Sequence, residues 1–209
     1  MIIEVCTESY EYAEKAEKAG ADRIELCKDL HLDGITPDYE TAKKTIDSLN
    51  IPVFILIRPR KGDFIYSDEE FVLMKQDILK FKEMGCKGIV SGILNLDKSI
   101  DLKRTKKLIE LSRPLEFTFH RAFDIVSEPL KEIENLVKIG VNRVLTSGQK
   151  DKAIEGLELL DKLKNISNNR LIIMPGSGIS KNNLKNFELF NEIHGSFKGE
   201  INSNGFKLC

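Results

Sequence analysis

The chain has 209 residues, 41% of them hydrophobic and 31% charged, a balance that supports a sizeable core under a well-solvated surface. Its formal net charge of -1 supplies none of the basic field that would draw in nucleic acid or an anionic membrane, so neither partner is expected. No apolar stretch approaches the roughly 20 residues of a membrane span, and Met1-Ile2-Ile3-Glu4 opens without a basic leader, so the expected location is cytoplasmic and Cys6, Cys27, Cys86 and Cys209 are expected to stay thiols.

Eight short apolar runs recur along the chain, at 2–6, 23–27, 53–58, 88–91, 116–120, 143–147, 171–174 and 192–194. A helical stretch separates each run from the next, and the strand, loop, helix, turn repeat builds parallel sheets. Eight such strands close a (β/α) barrel, whose reactive groups collect where the strands end. The fold class is therefore α/β, with residues 1–209 forming one domain.

Helix signals agree with that repeat. Thr36-Pro37 reads as a capping hydroxyl before a first-turn proline. Ser67-Asp68-Glu69-Glu70 reads as a capping box, followed by Phe71, Met74, Ile78 and Phe81 on one face. Ser180 is expected to open the helix that carries Leu184 and Phe187, while Gly20, Gly85 and Gly140 stand where helices end.

Strand alternation assigns the interior. In the second strand Ile24 and Leu26 face the helices, which turns Arg23, Glu25 and Cys27 inward; in the first, Ile3 and Val5 face out and Glu4 and Cys6 face in. Both strands thus end in Glu-x-Cys. Thr118 and His120 share the inner face of the fifth strand, and His194 lies opposite Ile193 in the last. So polar an interior is costly unless its members pair or bind something.

The eighth unit is incomplete. Only residues 197–209 follow Ser196, rich in Lys, Asn and Gly, so the last helix is expected to be missing or vestigial and the tail irregular. An apolar flank left open between the first and last strands would favour a homo-oligomer; a tail folded over it would not.

At the rim, Thr118-Phe119-His120-Arg121-Ala122-Phe123-Asp124 is the densest cluster. His120 can serve as general base or metal ligand, Arg121 can grip an anion and Asp124 can orient either. The plainer alternative is a hydrogen-bonded barrel histidine beside a loop ion pair. Arg58 and Arg60, spaced by a stiff proline, can present forks to a carboxylate or phosphate, unless Arg58 simply neutralises Glu4 or Glu25. Ser147-Gly148 and Gly176-Ser177-Gly178 end the sixth and seventh strands, where glycines let backbone N–H groups approach an anion or merely make the bend. Cys6 and Cys27, at the ends of neighbouring strands, can share one soft ion such as Cu(I) or can be inert core thiols. No four-ligand zinc spacing is present.

Several of these words taken together resemble the CutC family: Glu4-Val5-Cys6, Gly20-Ala21-Asp22-Arg23-Ile24-Glu25-Leu26-Cys27, Ile57-Arg58-Pro59-Arg60, Gly62-Asp63-Phe64, Tyr66-Ser67-Asp68, the fifth-strand motif, and Arg143-Val144-Leu145-Thr146-Ser147-Gly148. The likeness runs from residue 3 to about residue 196. It implies a TIM-like (β/α)8 barrel, a cytoplasmic setting and a part in copper homeostasis, with Cu(I) on the strand-end cysteines that correspond to Cys6 and Cys27. Copper leaves the remaining rim groups without a task, so a second expectation stands beside it. That alternative is a lyase, isomerase or hydrolase acting on a small anionic metabolite, phosphorylated or not. His120, Asp124 and Glu25 would then do the catalysis, while Arg58, Arg60, Arg121, Ser147, Gly176, Gly178 and His194 hold the substrate. No cofactor other than Cu(I) is expected.

Overall fold

The computed structural model describes residues 1–201; residues 202–209, with Cys209, lie outside the described residues. In chain order the elements are β1 (Ile2–Thr7), α1 (Tyr10–Lys18), β2 (Arg23–Leu26), α2 (Tyr39–Ser48), β3 (Val53–Leu56), α3 (Asp68–Glu83), β4 (Gly88–Ser91), α4 (Leu102–Ser112), β5 (Glu116–Phe119), α5 (Pro129–Ile139), β6 (Arg143–Thr146), α6 (Leu157–Ser167), β7 (Ile172–Pro175) and β8 (Glu192–Gly195). All eight strands pair in parallel, in the order β7-β6-β5-β4-β3-β2-β1-β8. A single bridge between Gly176 and His194 joins the two ends of that sheet, so the barrel is nearly closed.

Local chemistry sets most helix boundaries. Ser9 and Asp101 accept the N–H groups of Tyr12 and Arg104 at the starts of α1 and α4, and the capping box between Ser67 and Glu70 opens α3. Gly20, Gly85 and Gly140 all have positive φ just past helix ends. Two expectations need correction. Helix α2 begins after Asp38, and the Thr36 hydroxyl accepts the Arg58 N–H at 2.9 Å across the barrel mouth, so a tertiary partner takes the group that local sequence assigns to a cap. The segment after Ser180 forms only the 3-10 turn Leu184–Phe187. There the Asn183 side chain accepts from Ser180 N–H and donates to the Gly178 carbonyl, competing with a helical backbone for the same groups.

Two layers of core follow from strand alternation. Ile3, Val5, Ile24, Leu26, Ile55 and Phe117 face outward and pack with the helices, including Met74, Ile78 and Phe81 of α3. Inside the barrel, Cys6, Cys27, Phe54, Leu56 and Val90 form a separate small cluster. Gly88 makes room for it, because a Cβ there would stand 2.4 Å from the Phe54 ring.

Below that cluster the barrel is plugged by charge. Arg23 donates to Glu4 and Glu192, and Arg143 donates to Glu192 and Glu116, with the Phe54 ring 4.7 Å from one guanidinium and 5.1 Å from the other. Arg23, not Arg58, therefore neutralises Glu4. Breaking such a buried network by removing one member costs about 3–5 kcal/mol, because it strands a charge in the interior. The plug leaves the opposite mouth as the open end.

The flank between β1 and β8 is covered. Ile3 and Ile193 are buried, and Phe197 and Ile201, after the last strand, join the same core. Among the described residues no helix follows β8, and none is long and apolar enough to cross a membrane.

Candidate functional site

A cavity of about 470 Å³ opens at the C-terminal ends of the strands. Cys6, Glu25, Arg58, His120, Arg121, Asp124, Gly178 and His194 all line it. A somewhat larger surface groove, about 570 Å³, runs along α3 and α4, but its Arg104 is already paired with Asp68 and Asp101. The strand-end cavity is the one that gathers buried reactive groups.

Parallel register brings three of them together from three adjacent strands. Cys6 on β1 pairs with Glu25 on β2, and Glu4 on β1 pairs with His194 on β8. The Cys6 thiol lies 3.8 Å from Glu25 Oε1 and its sulfur 3.7 Å from that of Cys27, whose own thiol donates to the Thr7 carbonyl at 3.4 Å. Gly34, at φ +78°, lets the loop after β2 fold over Cys27, where a Cβ would come within 3.3 Å of the cysteine's own Cβ. Both sulfurs are buried. The neighbouring Cys27 thiol, then burial, hold the Cys6 thiol well above its ordinary range, so it stays protonated until something displaces the proton.

His194 Nδ1 sits 2.7 Å from Glu4 Oε1 and 3.8 Å from Glu25 Oε2. Burial alone would raise Glu4, but the Arg23 charge and then His194 overcome it and lower the carboxyl to about 2. Glu25 has no arginine of its own; burial, opposed by His194, pushes it up to about 7, and its Oε2 is buried with no hydrogen-bond partner. His194 rises above its ordinary value because Glu25 and Glu4 outweigh the effect of burial. One carboxylate is thus a fixed anion and the other a group poised near neutrality.

His120 stands across the cavity. Its Nδ1 accepts the Ala122 N–H at 3.2 Å, so the ring hydrogen resides on Nε2, which is buried without a partner. Burial, then the Arg58 charge, lower it to about 3, making it a neutral N–H donor at physiological pH. The expectation that Asp124 orients His120 is not met. Asp124 instead accepts from the Thr146 hydroxyl at 2.5 Å, Ser147 N–H at 2.9 Å and Arg121 Nε at 2.8 Å, because the 3-10 turn Arg121–Ile125 carries it onto the end of β6. Arg121 and Asp124 form the loop ion pair that the sequence offered as the plainer alternative.

The remaining rim residues divide. Arg58 faces the cavity, but its Nη groups donate to the carbonyls of Leu32, Asp33, Gly34 and Gly62, clamping two loops, with its guanidinium 4.9 Å from the Phe64 ring. Arg60 lies outside the lining, paired with Glu70 and Asp63. Ser147 is buried behind the wall and donates to the Lys150 carbonyl, and Gly176 lies in the β7–β8 bridge. Gly178 and the neighbouring Ser177, from the glycine turn after β7, reach the cavity. Sequence reasoning also missed Glu192 as a barrel-floor acid and Glu4 as the partner of His194, although inward-facing alternation marks Glu4.

Comparison with known proteins supplies an independent reading. The sequence matches the profile of the CutC family over residues 1–199. It is 44% identical over 203 residues to a family protein CutC of Pasteurella multocida, spanning 95% of this chain and 83% of that one. It is 46% identical over 184 residues to the copper homeostasis protein cutC homolog of Homo sapiens, spanning 88% of this chain and 67% of the human protein. The crystal structure of a CutC protein from Streptococcus agalactiae superposes with a TM-score of 0.89 at 32% identity, covering 94% of this chain and 98% of that one.

Proposed function

This chain belongs to the CutC family of copper homeostasis proteins, and from that premise we propose that it takes up one Cu(I) ion at the paired sulfurs of Cys6 and Cys27. The observation that carries the reading is the 3.7 Å between the two sulfurs. That separation is shorter than twice a metal–thiolate bond of about 2.3 Å, so a single ion can touch both. Soft thiolates select Cu(I) over harder ions, and burial keeps the pair dry. Because Cys6 is held as a thiol, uptake displaces its proton. Thiol-based Cu(I) handling suits a reducing, cytoplasmic setting. Titrating reduced protein with Cu(I) against a competing chelator is expected to show one equivalent bound, and the Cys6→Ser, Cys27→Ser double variant is expected to lose it; unchanged affinity in that variant overturns the reading.

A second reading rests on a separate observation. His120 Nε2 and Glu25 Oε2 are both buried without hydrogen-bond partners and belong to residues lining one cavity, which suits a small polar metabolite that would satisfy them. His120 would donate to a substrate oxygen and Glu25, with its carboxyl near neutrality, would move a proton. With the Arg58 Nη groups engaged by loop carbonyls and Arg121 paired with Asp124, the carbonyl or hydroxyl groups of the ligand are more direct targets than its charge. A thermal-shift panel of small carboxylates, hydroxycarbonyl compounds and phosphate esters tests this: the expected ligand raises the melting temperature of the parent chain and not of His120→Ala. A panel that moves neither counts against it.

A further inference from the structure

The strand ends carry a second donor set that overlaps the sulfur pair only at Cys6. Cys6 Sγ, a carboxylate oxygen of Glu25 and one ring nitrogen of His194 all lie within 4.8 Å of one another. The three come from β1, β2 and β8, neighbours in the sheet, so backbone pairing rather than a flexible loop fixes their spacing. Two further observations point to a ligand. Glu25 Oε2 is buried with no hydrogen-bond partner. The His194 ring is anchored through Nδ1 by Glu4, which Arg23 holds in turn, and this carboxylate–imidazole pairing is the one that orients ligating histidines.

We propose that Cys6, Glu25 and His194 form a site for a borderline divalent cation of the Zn²⁺ type, with one coordination position left open to the cavity for a small oxygen-donor ligand. A sulfur, a nitrogen and an oxygen together suit Zn²⁺ or Co²⁺ better than Cu(I), which favours sulfur, or Mg²⁺ and Ca²⁺, which favour oxygen. Three protein ligands with an open fourth position form the pattern of reactive rather than structural zinc. The 470 Å³ cavity lies on the open side, with His120 among its walls. Cys27 is not a member of this set. Cys6 is shared, so a divalent ion here and Cu(I) on the sulfur pair exclude one another.

Co²⁺ is the probe. Reduced, metal-free, full-length protein titrated with Co²⁺ is expected to develop ligand-field bands and one thiolate charge-transfer band at one equivalent, both erased by Zn²⁺. Cys27→Ser is expected to keep the spectrum and Cys6→Ser to lose the charge-transfer band. Glu25→Gln and His194→Gln are expected to weaken binding by at least about tenfold, and Glu4→Gln by roughly 10- to 100-fold through the loosened ring. Absence of the charge-transfer band in the parent protein, or a band that needs Cys27 and ignores His194, overturns the proposal; the parent and the Cys27→Ser protein decide this even where an acidic variant fails to fold. Cu(I) titrations of the same variants separate the two sites: Cu(I) binding that survives Cys27→Ser removes the sulfur pair while leaving the divalent site standing.

Discussion

Glu25 and His120 are both buried at one mouth, yet burial moves their protonation in opposite thermodynamic directions. Glu25 titrates near 7 in the folded chain against 4.5 ordinarily, so between those values the folded state holds the extra proton and stability falls as pH rises. His120 titrates near 3 against 6.5, so the unfolded state holds the extra proton and stability falls as pH drops through that window. The two slopes oppose each other between pH 4.5 and 6.5. Glu4, lowered from 4.5 to about 2, adds stability that is lost only below its ordinary value. Urea unfolding across a pH series is therefore expected to show a plateau between about 4.5 and 6.5 and a steep loss below it. In Glu25→Gln the plateau is expected to tilt, with stability rising with pH; a plateau unchanged in that variant contradicts the assignment. At this scale the sequence revealed which residues face inward, since alternation places Glu4, Glu25, His120 and His194 correctly. It did not reveal their partners, because Glu4 meets His194 across 190 positions and only the sheet register joins them.

Helices and strands were legible to the extent that their signals are local. The capping box of α3 needs nothing beyond its own first turn, and Ser67→Ala is expected to destabilise the chain by about 1 kcal/mol in chemical denaturation. Thr36 and Ser180 misled because their hydrogen-bonding groups are claimed by Arg58 and Asn183, one of them distant in sequence. Arg58 shows the same effect in reverse: a guanidinium that looks free in sequence clamps the loops after β2 and β3 through four carbonyls. The strand Gly88 carries information of a different kind. Gly88→Ala is expected to cost about 1–3 kcal/mol by forcing the Phe54 ring out of the gap between Arg23 and Arg143. A melting temperature equal to that of the parent would show the ring to be looser than its contacts imply.

As a whole molecule the chain sets a charged floor and a strand-end cavity at opposite ends of the barrel axis. Eight repeats predict the barrel and the end where reactive groups would collect, but the charged floor of Glu4, Arg23, Glu116, Arg143 and Glu192 emerges only when the curled sheet brings five strands together across the barrel interior. Arg143→Met is expected to destabilise by about 3–5 kcal/mol while leaving metal binding at the other mouth stoichiometric, since none of the rim donors touches Arg143. The most direct measurement is X-ray absorption at the copper edge of reduced protein loaded with one equivalent of Cu(I). Sulfur neighbours in the first shell, lost when Cys6 and Cys27 are replaced by serine, are the predicted result. A shell of nitrogen and oxygen alone, the same in the parent and the double variant, would contradict the account.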